Sequence, residues 1–415
     1  MPVFVMTPQG KIMRNLILIF GLLGLTACAS TADNQTQRSS AQQQTPAAEF
    51  HQLADTIWEG LNESSETELT DMSPEALEQR YQQRSEWLEQ LNAVNLNELS
   101  RDDQINHAMI HYTLKNKVDE YRFNAHYMPL TAEGSFHSSL AFMPSYTSFS
   151  SAEDYQNYIA KLRSIPRYME QQTHWLRKAI EEGYTQPAAA MAGFEESILA
   201  YIVQDAKDSV YFSPFAHQPG FVDSEQWEQL KSDALTAIDD QVMPAYDDYF
   251  TFMVTEYLPS ARESIGASEL PNGDDFYQNR IKHYTTLDMT ADEIHEIGLQ
   301  EVARIRGEML EAIEATGFDG DFDEFVEFLR TDDQFYPETA EELLQYAAWI
   351  AKKMDGELPK LFKTMPRKPY GIAPVPAEIA PKYTTGRYSG TNRDDRAGFY
   401  WVNTYALDRR PLYQM

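Results

Sequence analysis

The chain has 415 residues, of which 42% are hydrophobic and 12% aromatic, so it is long enough to bury a large core in one domain or in two closely packed ones. Its 64 acidic residues outnumber the 34 basic ones and give a net charge of −30 at pH 7. Such a charge repels phosphate backbones, which excludes nucleic acid as a partner.

The N-terminal segment has the pattern of an export signal. Lys11 and Arg14 precede the apolar run Leu16–Leu25, which is too short to span a bilayer of roughly 30 Å but has the length of a signal-peptide core. Leu-Thr-Ala-Cys at 25–28 resembles a bacterial lipobox, in which the cysteine thiol receives a lipid. Cys28 is therefore the predicted lipidation site, and a plain secretory signal with an incidental cysteine is the alternative. Because it is the only cysteine, no disulfide can form within one chain.

The signal divides the chain into three predicted parts. Residues 1–28 are a lipoprotein signal peptide with its lipobox cysteine, residues 29–49 are a flexible polar tether of low complexity, and residues 50–415 are the folded part. Ala29, rather than an aspartate, follows the cysteine, which resembles the outer-membrane sorting pattern of lipoproteins in Gram-negative bacteria. We expect attachment to the outer membrane through the lipid, with the folded part facing the periplasm.

Beyond the tether, apolar spacing predicts helices. Phe50, Leu53 and Ile57 fall on one helical face. Start signals recur along the chain, since Ser73 is a typical N-cap and Pro74 occupies the first helical position. Further helices with similar caps are predicted at Ser100–Tyr121 and at Ser151–Tyr184, the second bent or broken at Pro166.

The second half continues this pattern and ends in strands. The predicted helices are Ser224–Phe252, one capped by Thr290 with Gly317 past its end, Phe322–Leu329 and Pro337–Met354. Strand-like sequence is confined to the stretch from Tyr370 onward. The sequence therefore predicts a mainly α protein, a large helical domain with a small β-sheet near the C-terminus.

Motifs that carry chemistry are weak in this chain. His107 and His111 are spaced i, i+4, as in many metal sites, but no convincing third ligand accompanies them, and a solvated or hydrogen-bonded pair is the simpler interpretation. His295 and Glu296 resemble the start of a zinc motif, but Leu299 stands where the second histidine belongs. No G-x-S-x-G nucleophile elbow is present.

Several blocks together resemble one family. The blocks are DQINHAMIHYTL, EDYQNYIAKLRSIPRYMEQQ, Leu270–Met309, Met365–Tyr388 and Arg396–Tyr413. They resemble consecutive blocks of family 885 of the bacterial domains of unknown function. The resemblance covers nearly all of the chain from about Phe50 onward. The resemblance implies an exported lipoprotein allied with the helical zinc metallopeptidases, and hence a metallopeptidase-like helical domain.

The resemblance also implies where a zinc site belongs. In complete members, the segment resembling VNTYALDRRPLY is followed by a helix with HEAVPGHH, whose histidines and glutamate look like metal ligands and general base, and later by an EGWA-type segment. Neither motif occurs in this sequence. Zinc is thus implied for a complete member, while this chain has no predicted catalytic residue, metal ligand or cofactor of its own. We expect it to be the N-terminal part of such a domain, with the catalytic helix missing.

The candidate substrate-binding residues lie in the predicted strands. Peptidases commonly hold a substrate backbone on an edge strand, and GFYWVN at Gly398–Asn403 is a candidate for that edge. A core strand without substrate contact is the alternative. Tyr388 is a candidate transition-state hydrogen-bond donor or subsite wall, or else an ordinary packed tyrosine. The predicted substrate-binding residues are Tyr388, Tyr400, Trp401, Val402 and Asn403.

Two hypotheses about function follow. In the first, the chain is the N-terminal fragment of an outer-membrane lipoprotein that resembles a zinc-dependent peptidase acting on peptides in the periplasm, and it is inactive alone. In the second, it is a non-catalytic helical lipoprotein that binds peptides or a partner protein. Both predict a peptide as ligand and a membrane contact through the lipid.

Overall fold

The computed structural model describes residues 45–132, 135–377, 379–391 and 396–415. The predicted signal peptide, Cys28 and most of the predicted tether lie outside the described residues. Within them, no helix combines the length and the hydropathy needed to cross a bilayer. The helices of the first half are α1 (Pro46–Leu61), α2 (Pro74–Asn92), α3 (Arg101–Arg122), α4 (Phe136–Leu140), α5 (Met143–Tyr146), α6 (Ala152–Arg163), α7 (Ile165–Glu182), α8 (Ala188–Met191) and α9 (Glu196–Leu199).

The first helices begin close to the predicted positions. The Ser73 hydroxyl accepts a hydrogen bond from the Ala76 amide at 3.3 Å and caps α2, as predicted. α1 begins at Pro46, four residues before the predicted start of the folded part, because Thr45 caps it. The predicted break near Pro166 is confirmed, since α6 ends at Arg163 and the proline lies in the first turn of α7, where its missing N–H costs no hydrogen bond.

In the second half, α13 carries both of its predicted caps. Thr290 and Glu293 form a reciprocal capping box at the start of α13, with amide-to-side-chain distances of 3.2 and 2.8 Å. Gly317 ends that helix in the left-handed region, at a φ of 74°. The helices are α10 (Ser224–Ala237), α11 (Met243–Phe252), α12 (Gly273–Thr285), α13 (Ala291–Thr316), α14 (Phe322–Thr331) and α15 (Ala340–Glu357).

The stretch predicted as one helix over Ser224–Phe252 contains a wider turn. α10 and α11 are joined by a π-helical turn at Ile238–Val242, immediately before Pro244. The proline cannot donate to the preceding turn, and its ring needs room there, which a π turn supplies. A second π turn, Met253–Tyr257, follows α11.

The largest core joins α6, α7, α10 and α11, and it contains several hydrogen-bonded tyrosines. Tyr246 donates to the His137 carbonyl at 2.6 Å, and its hydroxyl lies 2.6 Å from that of Tyr211. Tyr158 donates to the Tyr211 carbonyl at 2.9 Å. Burial of each large side chain contributes roughly 1.5–3 kcal/mol, and the hydrogen bonds remove the cost of the buried hydroxyls. A separate core joins α1, α2 and α3 around Phe50, Ile57, Leu91, Leu99 and Leu114.

The sheet has three strands: β1 (Tyr370–Pro374), β2 (Gly386–Ser389) and β3 (Gly398–Val402). Their order is β1-β3-β2, with β1 parallel and β2 antiparallel to β3. One face of the sheet packs against α15, where Leu343, Ala347 and Val402 form a buried cluster. The predicted fold class, mainly helical with a small sheet near the C-terminus, is confirmed.

Candidate functional site

The prediction that Gly398–Asn403 forms an edge strand is wrong. β3 is the central strand, because β1 pairs with it on one side and β2 on the other. Its backbone donors and acceptors over Gly398–Val402 are therefore used by its two neighbours and cannot hold a substrate backbone. The free edges of the described sheet belong to β1 and β2.

Val402 and Tyr400 point to the face that α15 covers. Val402 is fully buried against Leu343 and Ala347, and Tyr400 is half-buried beside the same cluster. Val402 therefore fits the alternative interpretation of this strand as part of the core. Its side chain is fully buried and faces no solvent. It stabilises the sheet by roughly 1.5–3 kcal/mol of burial.

Asn403 is a structural residue. It is fully buried, and its amide group donates to the carbonyls of Ala380, Tyr383 and Thr384 at 2.8, 3.0 and 3.3 Å. Its side-chain oxygen accepts from the Tyr405 amide at 2.9 Å. All polar atoms of the side chain are occupied within the protein, and the predicted substrate contact of Asn403 stays a prediction. It fixes the segment that leads into β2.

Trp401 lies on the opposite face of the sheet with Phe399, at a ring separation of 5.8 Å, and both are half-buried. The Arg396 guanidinium lies 5.9 Å from the Phe399 ring centre and donates to the Ser145 carbonyl, which joins the sheet to α5. Beside Ser145, an apolar groove of about 310 Å³ runs between the helices and the segment after β1, with Phe142, Phe149, Pro376 and Ile379 among its lining residues. The predicted substrate contact of Trp401 stays a prediction.

β2 presents the free edge on which Tyr388 lies. The backbone N–H of Asn403 donates to the Thr385 carbonyl at 2.9 Å. Thr385 and Asn403 are therefore a hydrogen-bonded pair of the antiparallel ladder. Such pairs alternate along an antiparallel ladder, so Arg387, opposite Trp401, also bonds to β3. Tyr388, opposite Tyr400, therefore turns its backbone N–H and C=O away from β3. Within the described sheet, β2 has no strand on that side.

The Tyr388 side chain is 63% exposed, but its ring has a fixed position. It meets Tyr370 of β1 edge-on at 6.4 Å between ring centres, so it lies across β3. Gly398 makes this possible, because a Cβ there would lie 2.3 Å from the Tyr388 hydroxyl. The ring thus covers β3 on the side of the sheet that faces α15, and it points away from the free edge of β2.

Comparison with known proteins gives the family. The model of a family of bacterial proteins of unknown function, DUF885, matches residues 56–415. The chain belongs to the DUF885 family. No curated protein matches it.

Solved structures resemble this DUF885 chain along most of its length. A "putative lipoprotein" from Colwellia psychrerythraea has 19% sequence identity and a TM-score of 0.75, with 89% of this chain and 68% of that one covered. A second "putative lipoprotein", from Shewanella oneidensis, is described as of unknown function. It has 12% sequence identity and a TM-score of 0.51, with 86% of this chain and 65% of that one covered. At these identities the likeness shows the fold alone.

Zinc does not fit the residues of this DUF885 chain that the structure describes. In that part, no group of three or more His, Cys, Asp or Glu side chains is placed to hold a metal ion. The His107 and His111 rings stack at 6.0 Å, and their Nε2 atoms already pair with the Leu91 carbonyl at 2.8 Å and the Asn92 side-chain oxygen at 3.0 Å. A metal needs free ligand atoms that converge on one point, so we derive no metal-dependent step.

α13 carries an apolar surface that the sequence does not identify as exposed. Only Ile313 of this helix is buried, and the helix contacts α14. Between 42 and 68% of each of six large apolar side chains is exposed: Ile297, Leu299, Val302, Ile305, Met309 and Leu310.

Proposed function

We propose that this DUF885 chain is the peptide-binding part of a lipid-anchored protein, and that it holds an extended peptide along the free edge of β2. The observation that carries the proposal is the outward direction of the Tyr388 N–H and C=O. A peptide strand placed there adds a fourth strand to the sheet and pairs with both groups. The apolar groove beside Ser145, between the helices and the segment after β1, is a separate concave surface for an apolar side chain.

The location is proposed on separate grounds. The lipobox-like sequence ending at Cys28 predicts a lipid on that thiol, and both similar solved proteins are described as lipoproteins. Ala29 supports sorting to the outer membrane, so the peptide would come from the periplasm.

Binding without cleavage is the function that the described residues support. They bring together no zinc ligand set, and the family resemblance is what connects the chain with peptidases. If longer relatives cleave peptides, β2 would place the substrate for residues that the described part does not contain. The same edge serves a binding protein without catalysis, so the edge itself is the feature to test.

The test compares two substitutions at one position. Tyr388→Pro removes the outward N–H but leaves the β2–β3 ladder intact, whereas Tyr388→Thr keeps the N–H and removes only the ring. Loss of the donor leaves a peptide carbonyl unpaired, which costs about 1–3 kcal/mol, roughly 5- to 150-fold in affinity. Fluorescence anisotropy with a short labelled peptide of β-branched and glutamine residues measures the difference.

We expect Tyr388→Pro to weaken binding by at least the lower figure and Tyr388→Thr to weaken it less. Circular dichroism must show that both variants keep the helical fold. Equal affinities of the wild-type protein and the proline variant would rule out binding through this edge.

A further inference from the structure

Charge is unevenly distributed along the chain, and the sheet lies in its basic part. Residues 358–415 contain ten lysines and arginines and four aspartates and glutamates, a net charge of +6. The rest of the chain has 24 basic and 60 acidic residues, a net charge of −36. A ligand that approaches the sheet therefore meets a local charge opposite to that of the whole protein.

Three arginines of this part lie around β2. The Arg387 side chain projects from β2 itself and is exposed. Arg410 is beside the start of β2, with one guanidinium nitrogen 3.5 Å from the Thr385 hydroxyl and another donating to the Tyr405 carbonyl at 3.1 Å. Arg409, the residue before Arg410, is exposed.

One nearby carboxylate, that of Asp408, attracts Arg410 without forming an ion pair with it. Among the described carboxylates, none forms an ion pair with either side chain. Their planar donor groups suit the two oxygens of a carboxylate. Salt at physiological concentration screens charges farther away than about 8 Å, so close contacts decide which charged groups a ligand meets.

We propose that the peptide bound along β2 carries carboxylates and that Arg387, Arg409 and Arg410 recognise them. This inference rests on the proposed function, because it needs a peptide on β2. The carboxylates belong to acidic side chains or to the peptide's own C-terminus, and both have the same chemistry.

The experiment uses peptides that differ only in having Glu, Gln or Lys at the same positions, each with a free or an amidated C-terminus. The Glu peptide should bind about tenfold more tightly than the Gln peptide, and the Lys peptide more weakly than both. If the terminal carboxylate is the recognised group, the free-acid forms should instead exceed the amides by a similar factor. Either result supports the inference.

Variants assign the effect to the arginines. Arg409→Gln should remove most of the preference for Glu over Gln, and Arg410→Lys, which keeps the charge but loses the planar fork, should reduce it. Lys231→Gln on α10 removes one positive charge far along the chain and should leave the preference unchanged.

Equal binding of the Glu and Gln peptides in both terminal forms, or tighter binding of the Lys peptide, would overturn the inference. If Tyr388→Pro still weakens the Gln peptide in that case, the proposed edge stands and only the carboxylate preference fails. If no peptide binds, both fail.

Discussion

His137 should make the stability of this protein fall as the pH falls from 7 to 5. The ring is fully buried in α4, among Phe194, Tyr201 and Tyr249. Its Nε2–H donates to the Ser197 hydroxyl at 3.0 Å, because that hydroxyl itself donates to the Phe194 carbonyl. Nδ1 has no partner among the described residues. Burial lowers the pKa of His137 from 6.5 to about 3, with no contribution from a neighbouring charge.

The sign and size of the effect follow from these two pKa values. Between pH 6.5 and 3 the unfolded chain binds a proton at His137 and the folded protein does not, so acidification favours unfolding. At pH 5 the loss in the free energy of unfolding from this residue is about 2 kcal/mol, relative to neutral pH. The contribution is fully present above the unfolded pKa and is lost as the pH falls below it.

The assay is urea unfolding followed by tryptophan fluorescence at several pH values between 7 and 5. His137→Gln can keep a donor to Ser197 but has no proton to bind, so its stability should depend less on pH by about 2 kcal/mol over this range. His295→Gln, at an exposed position on α13, is the matched control and should keep the wild-type dependence. A His137 resonance that titrates near pH 6.5 in the folded protein, or an unchanged pH dependence in His137→Gln, would refute the reasoning.

Three further predictions concern other parts of the chain. Metabolic labelling with a palmitate analogue should mark the wild-type protein and not Cys28→Ser; equal labelling would exclude a lipid on that thiol. After dialysis against a mild chelator, elemental analysis should find no stoichiometric zinc, whereas one retained ion that is lost in His107→Ala would show that the histidine pair binds metal. Leu343→Ala empties a fully buried position beneath the sheet and should cost about 2–5 kcal/mol, with faster hydrogen exchange in β3, while Val302→Ala on the exposed face of α13 should change stability by less than about 0.5 kcal/mol. Equal costs would contradict the packing of α15 on the sheet.

Local chemistry predicts the helices of this protein well. The capping box of Thr290 and Glu293 satisfies free backbone N–H groups where α13 begins. Gly317 ends the helix because a residue without a side chain adopts the left-handed conformation there without strain. Such signals need only neighbouring residues. The π turn before Pro244 is harder to predict, because it depends on how α10 and α11 both pack on one core.

The candidate site is harder to predict from the sequence than the helices are. Consecutive aromatic residues followed by a valine identify β3 as a strand, but its central position depends on pairing with β1, which lies earlier in the chain. The outward direction of Tyr388 depends on the phase of the ladder, which the bond between Asn403 and Thr385 sets. The apolar spacing of α13 predicts a covered face, and no pattern within the helix says whether this part of the chain supplies the cover.

The order of the strands also determines when the sheet can form during synthesis. β3 leaves the ribosome after β1 and β2, yet it is the strand to which both of them pair. Until it emerges, β1 and β2 have no partner in the sheet, and their unpaired backbones are open to wrong pairing. The helices before them rely on nearer contacts and can assemble earlier. A chain truncated after Ala397 should therefore carry a folded helical body and a protease-sensitive segment from Tyr370, and the chain that continues through β3 should protect that segment.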